Sequence, residues 1–479
     1  MAVLGSDPKP WGYRWRSSSV FVVFCITVAV FSETFLYGFM VPILGYMITD
    51  RLHMDPFYIQ HTTSAILAIH GFIAVIASPL IGHLSERFLT NRRGPLLISL
   101  IGAITGTALV AGSHSLGILF LGRILQSLSG SVVWIVGLAT VADHVAEDHM
   151  AKTMGTVDSF ISAGTIAGPV VSGFVFKECG YWPTWAVPLV VLALDLVARL
   201  VMIDSQHGQQ VLNDPDVPNS PSTAYLAEES RSLLSDTTEG HESVAAEPLK
   251  PDTSNGPASF YRIMLKNGRV ITALLTSMGI TTVMVSFDAT LPLHVHRTFG
   301  WNTEQTSVLF LILQLPSIFI GPLVGWLRDR VGTQIPTVIG LCALAPCLLL
   351  LGVPGDPQFP WASVDRYGPI TYVITIFVIG IVIPFLGGIG VLEVTAVVKG
   401  LTAQNPQIFG PQGGQPRALS MAGVAANLAM MLGPVISGFL SEAVSYYHMN
   451  VVFCALLWFL SLMFWVFGGS RNMGPGHHL

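Results

Sequence analysis

Glu33 and Arg123 stand inside long apolar runs of the sequence. A charge in hydrocarbon costs about 2.5–3.5 kcal/mol on insertion scales, so each such residue is a functional candidate by default. Glu33 lies fourteen residues beyond Ser19, about 20 Å along a helix. Arg123 lies seven residues beyond Leu116, about 10 Å from the start of its own run, which enters from the opposite face. Both groups are therefore expected at nearly the same depth, where they can meet. The chemistry they offer is reversible proton binding. Burial and a neighbouring guanidinium act on a carboxyl group in opposite senses, so a movement that changes their separation or hydration changes its proton affinity. A fixed ion pair, or an acid that attracts cations, uses the same residues.

His70, twelve residues after Tyr58, can relay a proton, hydrogen-bond a ligand, or pack as a satisfied core histidine. Asp288, followed by Pro292, His294 and His296, stands near the end of a later run, as a second acid, an outer gate or a solvated helix end. Glu33, Arg123, His70 and Asp288 form the expected proton-coupling set. A second group sits at run ends: Asp143 and Glu393 are placed to meet the loop arginines Arg87 and Arg330, with Glu86 and Asp329 beside them. Ion pairs that form on closing and break on opening bias a two-state equilibrium; static anchoring of topology is the alternative. Asp195 and Arg199, spaced i, i+4, are expected to neutralise each other, with Arg199 snorkelling to the interface. Asp158 stands within two turns of a run end and is either hydrated or a group at a mouth. Tyr37, Gln126, Trp134, Gln314 and Asn427 are candidates to line a cavity. An apolar cavity with few polar groups suits amphipathic organic molecules better than sugars or ions.

The elements that must hold these groups follow from composition. Of 479 residues, 51% are hydrophobic and 11% charged, where a soluble domain carries about 25% charged. So few charges cannot cover a water-soluble surface, which excludes a cytosolic enzyme, a nucleic-acid binder and a disordered scaffold. A crossing needs about 20 apolar residues for about 30 Å of hydrocarbon. Twelve such runs occur, at 19–48, 58–84, 95–113, 116–143, 152–177, 182–203, 270–295, 304–327, 335–353, 369–398, 417–441 and 447–470. Each satisfies its own backbone as a helix, as lipid requires. The first run is too long for the h-region of a cleavable leader and is expected to stay as a helix. The five cysteines, four of them in apolar runs, indicate neither a disulfide framework nor a metal site. Residues 204–267 are rich in Ser, Pro, Asp and Glu and read as a cytoplasmic, disordered linker. It separates an N-terminal six-helix bundle, 1–203, from a C-terminal one, 268–479.

With both termini cytoplasmic, seventeen Lys and Arg fall in cytoplasmic loops and tails, four in the opposite loops and two inside helices. This satisfies the positive-inside rule and supports an even number of crossings.

The chain also repeats itself. Pro79-Leu80-Ile81-Gly82-His83-Leu84-Ser85-Glu86-Arg87 reappears as Pro322-Leu323-Val324-Gly325-Trp326-Leu327-Arg328-Asp329-Arg330, at an offset of 243. Gly168-Pro169-Val170-Val171-Ser172-Gly173 reappears as Gly433-Pro434-Val435-Ile436-Ser437-Gly438, at an offset of 265. Pro169 and Pro434 each remove a helix hydrogen bond, and Gly164, Gly168, Gly173, Gly433 and Gly438 permit close backbone approach. A bend and a tight interface between the halves are expected there. The fold class is an all-α membrane protein of two parallel six-helix repeats, of the kind that can rock about a midplane site.

Gly82-x-x-x-Glu86-Arg87 and Gly325-x-x-x-Asp329-Arg330-Val331-Gly332 resemble the loop motif of the major facilitator superfamily. Gly164-x-x-x-Gly168-Pro169-x-x-Ser172-Gly173 resembles the fifth-helix motif associated with its antiporters. Leu121-Gly122-Arg123-x-x-Gln126 is similar to its fourth-helix motif, and Glu33 with Pro42 to the spacing of the twelve-helix drug:proton antiporter branch. The first loop copy lacks the tight-turn glycine, and Ser127 and Ser172 stand where the family usually has glycine. The resemblance implies a proton-coupled exporter of small amphipathic compounds, drugs or secondary metabolites. It is expected to be monomeric, in the plasma membrane or a vacuolar or vesicular membrane, with small-molecule substrate, protons and lipid as its partners and no nucleic acid. A nutrient:proton symporter and a non-transporting membrane sensor are the alternatives. No Gly-x-x-x-x-Gly-Lys-[Ser/Thr] occurs, so ATP is not the expected energy source. Neither a nucleophile and base nor a metal-ligand cluster suggests an enzyme or a cofactor.

Overall fold

The structure is a computed structural model describing residues 11–88, 93–145, 147–203, 257–405, 408–409 and 414–468. Among the described residues, twelve helices are long and apolar enough to cross a membrane. They are α1 (Ser19–Met40), α2 (Ile59–Ile81), α3 (Arg93–Ala111), α4 (Leu116–Val141), α5 (Ser159–Cys179) and α6 (Tyr181–Val201) in the first half. The second half holds α7 (Gly268–Phe299), α8 (Thr303–Arg328), α9 (Gln334–Gly352), α10 (Gly368–Gln404), α11 (Arg417–Ala443) and α12 (Tyr446–Phe467). Polar residues before the apolar runs start several of them: Ser18 and Ser115 accept from Phe21 N and Ile118 N, and Asn302 forms a capping box with Gln305.

Three elements depart from the sequence-based expectation. The first run breaks at Val41–Ile43, because Pro42 has no N–H to give, and resumes as a short helix and a π-turn to Arg51. The tenth is interrupted by a 3-10 turn, Ile383–Phe385, and by Gly388 in the left-handed region at φ 70°. The end of the expected linker, Pro257–Lys266, is an amphipathic helix whose Phe260 and Met264 join a cluster with Val270, Val394 and Phe409. Apolar residues four apart on one face can be buried there, which composition averaged over the whole segment concealed. Residues 204–256 of that linker lie outside the described residues.

The repeat is visible in the packing. In each half the first helix lies on the fifth and the third on the sixth: α1 on α5, α3 on α6, and likewise α7 on α11, α9 on α12. The halves meet through α2 against α11 and α5 against α8. Even numbers of crossings bring the start of α1 and the end of α12 to one membrane face, called here the near face. The starts of α2 and α8 and the ends of α5 and α11 reach the far face.

Candidate functional site

Glu33, in the middle of α1, is 8% exposed. Its carboxylate occupies the space beside Gly130 of α4, where any Cβ would strike it. From α2, His70 Nε2 stands 3.9 Å from Glu33 Oε1. One turn along α1, the Tyr37 ring meets the His70 ring edge-on at 5.2 Å. The Arg123 guanidinium lies 5.6 Å from the centre of the Tyr37 ring. Gln126 holds it, accepting from Arg123 Nη1 at 3.0 Å and donating from its own amide to Thr107 Oγ1 at 3.0 Å. Ser127, next in the chain, donates to the His70 carbonyl at 2.6 Å. Arg123 Nε and Nη2 and His70 Nδ1 are buried without hydrogen-bond partners. Buried polar groups are ordinarily satisfied, so this cluster has capacity for partners of its own.

The sequence-predicted Glu33, His70 and Arg123 are therefore brought together. Glu33 and Arg123 act on each other through space, with Gln126 and the Tyr37 ring as the contacts of the guanidinium. Asp288 comes to the same cluster from the other half, its carboxyl beside the Tyr37 hydroxyl. It is not a solvated helix end: α7 continues eleven residues beyond it to Phe299. Just above, Gln60 of α2 donates to the Ala289 carbonyl at 2.9 Å, fixing the register of the two halves. Tyr37 of the first half thus stands beside an acid of the second, which spacing within either half could not reveal.

Of the other expected cavity residues, Gln126 is spent on positioning Arg123. Gln314 donates across the seam to the Thr165 carbonyl at 3.4 Å. Trp134 sits on a π-helical turn, Val133–Gly137, with more than a third of its surface exposed, and Asn427 is half-buried on α11. His294 is half-buried and stacked on Tyr446 at 3.7 Å between ring centres.

One of the expected latch pairs is corrected. Glu393 does not meet Arg330: it accepts from Arg269 Nε at 2.6 Å and from Thr333 Oγ1. The start of α7 lies against α10, which delivers Arg269, whereas Arg330 folds back over Trp326, 4.1 Å from its ring centre, one turn earlier on its own helix. Arg328 donates to the carbonyls of Phe385 and Gly387 at 2.7 Å, satisfying groups that the break in α10 leaves free. Asp195 and Arg199 pair bidentately at 2.9 and 2.6 Å as spacing predicts. Arg199 does not snorkel, however; it is 1% exposed and donates to the Leu96 carbonyl of α3 at 2.5 Å. The side chains of Glu86, Arg87, Asp143, Asp158 and Asp329 lie outside the described residues.

The Gly-Pro segments divide their work. Gly164 and Gly168 pack on α1, at Thr34, Phe31, Phe35 and Phe39, with Pro169 against Gly38; Gly433 likewise packs on Thr282 of α7. These contacts are within a half, not between halves as expected. Gly173 and Gly438 do face the seam, on Ser307 of α8 and Ser64 of α2. The two pairs are images of each other at the repeat offsets of 265 and 243.

The family described as the Major Facilitator Superfamily matches residues 23–398. The chain is 31% identical over 458 residues to an uncharacterised MFS-type transporter of Schizosaccharomyces pombe, covering 95% of this chain and 97% of that one. It is 24% identical over 375 residues to the class E tetracycline resistance protein of Escherichia coli, covering 78% and 80%. In fold it is similar to the crystal structure of a D-xylose-proton symporter, with a TM-score of 0.66 at 15% identity over 94% of this chain and 98% of that one. Twelve helices in duplicated packing, the family match and a relative along almost the whole length agree: this chain belongs to the major facilitator superfamily, as a secondary transporter and not an enzyme.

Proposed function

We propose that the chain is a proton-coupled antiporter that exports small amphipathic organic compounds, drugs or secondary metabolites, by alternating access. The observation that carries the reading is one buried cluster fed by both halves: Glu33 beside His70, Arg123 over the Tyr37 ring, and Asp288 of the other half beside Tyr37. Rocking of the halves separates or joins these groups and so changes how tightly the carboxylates hold a proton. Proton uptake from one side and release to the other then supplies the work of moving cargo. The likeness to a tetracycline resistance protein supports export as the direction. The excess of Lys and Arg on the near face supports cytoplasmic termini, hence a cytoplasmic near face. A monomer in the plasma membrane or a vacuolar or vesicular membrane suffices for this mechanism.

The test uses reconstituted vesicles with an imposed pH gradient and a panel of dyes and metabolites. Wild-type protein is expected to move cargo against the proton flow and to shift the lumenal pH as it does so. Glu33→Gln is expected to abolish gradient-driven transport while the protein stays folded; full activity in that variant overturns the assignment. Cargo moving with the proton instead indicates symport.

A further inference from the structure

Two ion pairs join the halves at the far face. Lys177, at the end of α5, meets Glu304, at the start of α8, with Nζ–Oε2 at 2.7 Å. His61, at the start of α2, meets Glu442, at the end of α11, with Nε2–Oε2 at 2.6 Å. The repeat offset of 243 carries His61 onto Glu304, and the offset of 265 carries Lys177 onto Glu442. One device is thus written twice with its charges exchanged: the cation stands on α2 in one copy and on α5 in the other. Each pair lies one turn beyond a glycine contact of the same seam, Gly438 on Ser64 and Gly173 on Ser307.

The copies differ in one chemical respect. A lysine keeps its charge across the physiological range, whereas an imidazole gains and loses its own within it. The His61 side chain is 49% exposed, open to protons from the far face, and Glu442 is 17% exposed. Other elements packed against the start of α2 offer titratable groups of their own. On α7, Asp288 is turned to Tyr37 and His294 is stacked on Tyr446. In the connection from α1, Asp50 accepts from Thr49, Arg51 lies over Tyr181 and Trp182, Asp55 accepts from Phe57 N, and His53 has positive φ. On α4, Arg123 belongs to the central cluster. Among the described residues the acid at ion-pair distance from His61 is Glu442.

We infer that His61 and Glu442 form a second proton-binding site, separate from the central acids, that must be loaded for the α2–α11 side of the far-face seam to stay closed. With the proton bound, an imidazolium pairs with a carboxylate. With it lost, the contact falls to one between a neutral imidazole and the carboxylate, and Lys177–Glu304 is the far-face ion pair of the two that remains. The sign follows by linkage: falling pH on the far side closes the seam and rising pH opens it. Under the proposed orientation, the compartment that supplies driving protons also shuts the gate through which cargo leaves.

The experiment places fluorophores at Tyr58 and Val444, both exposed at the far ends of α2 and α11, on the full chain in nanodiscs without cargo. Energy transfer is read between about pH 8 and about pH 5.5, either side of the ordinary imidazole range. In wild type the closed-to-open ratio is expected to rise several-fold on acidification, with about tenfold per pH unit as the ceiling for one linked proton. His61→Lys is expected to stay closed at both ends of the range. His61→Gln and Glu442→Gln lose the response, and Lys177→Gln lowers the closed-to-open ratio at every pH while keeping its rise on acidification. Circular dichroism and gel filtration establish that each variant is folded. A response that survives in both His61→Gln and Glu442→Gln, or is missing in wild type, overturns the inference. Glu33→Gln with Asp288→Asn is expected to retain it; failure of proton-driven export in that variant bears on the central site and leaves the gate standing.

Discussion

The chemistry of single residues here is set by what their neighbours leave open. Gly130 exists as a gap for the Glu33 carboxylate. Gly130→Ala forces the acid or α4 to move, an overpacking that costs about 1–3 kcal/mol. Its melting temperature in detergent and its transport are both expected to fall, whereas Gly117→Ala, which meets open space, leaves both near wild type. Asp195 and Arg199 supply the complementary case, a buried pair away from the central acids. Removing one partner alone, as in Arg199→Met, strands a buried charge and is expected to cost about 3–5 kcal/mol. The double variant Asp195→Leu, Arg199→Met removes both charges and is expected to recover most of that loss in a thermal unfolding series.

At the scale of elements, the helices are tuned by contact geometry more than by charge. Gly71 of α2 lies against the backbone of Met430 and Met431 on α11, while the image position in α8 is Gln314, which donates to Thr165 instead. A Cβ at Gly71 therefore meets atoms that cannot rotate away, but one at Gly438 meets the Ser64 hydroxyl, which can. Gly71→Ala is expected to destabilise the protein more than Gly438→Ala does, and Ser64→Ala is expected to rescue only the latter. At the near-face end of the second half, reversal of both charges in the pair Arg269→Glu, Glu393→Arg is expected to restore transport lost by either change alone. The same exchange between Arg330 and Glu393 restores nothing, because those side chains do not meet.

The whole molecule is two bundles joined by a seam, and the seam requires no continuous chain. Residues 1–203 and 257–479 produced as separate polypeptides in one cell are expected to assemble and transport, since α2–α11 and α5–α8 rebuild the interface. Keeping Pro257–Lys266 on the second piece preserves the burial of Phe260 and Met264; a piece beginning at Gly268 is expected to yield less folded protein.

The amino-acid sequence by itself determined the twelve crossings, the duplication and the i, i+4 pairing of Asp195 with Arg199. Each is a matter of length, composition or spacing along one helix, and lipid enforces those directly. It placed Glu33 and Arg123 at one depth for the same reason, since rise per residue is constant. The rotation of each helix was decided only by the tertiary structure. These helices are apolar around nearly their whole circumference, so lipid and core look alike in the sequence and no polar face betrays which side meets which neighbour. Rotation gave Glu393 to Arg269, turned Arg199 inward onto α3, and put Gly164 and Gly168 on α1 but Gly173 on the seam. It also brought Asp288 to Tyr37 and His61 to Glu442, contacts between halves separated by more than two hundred residues.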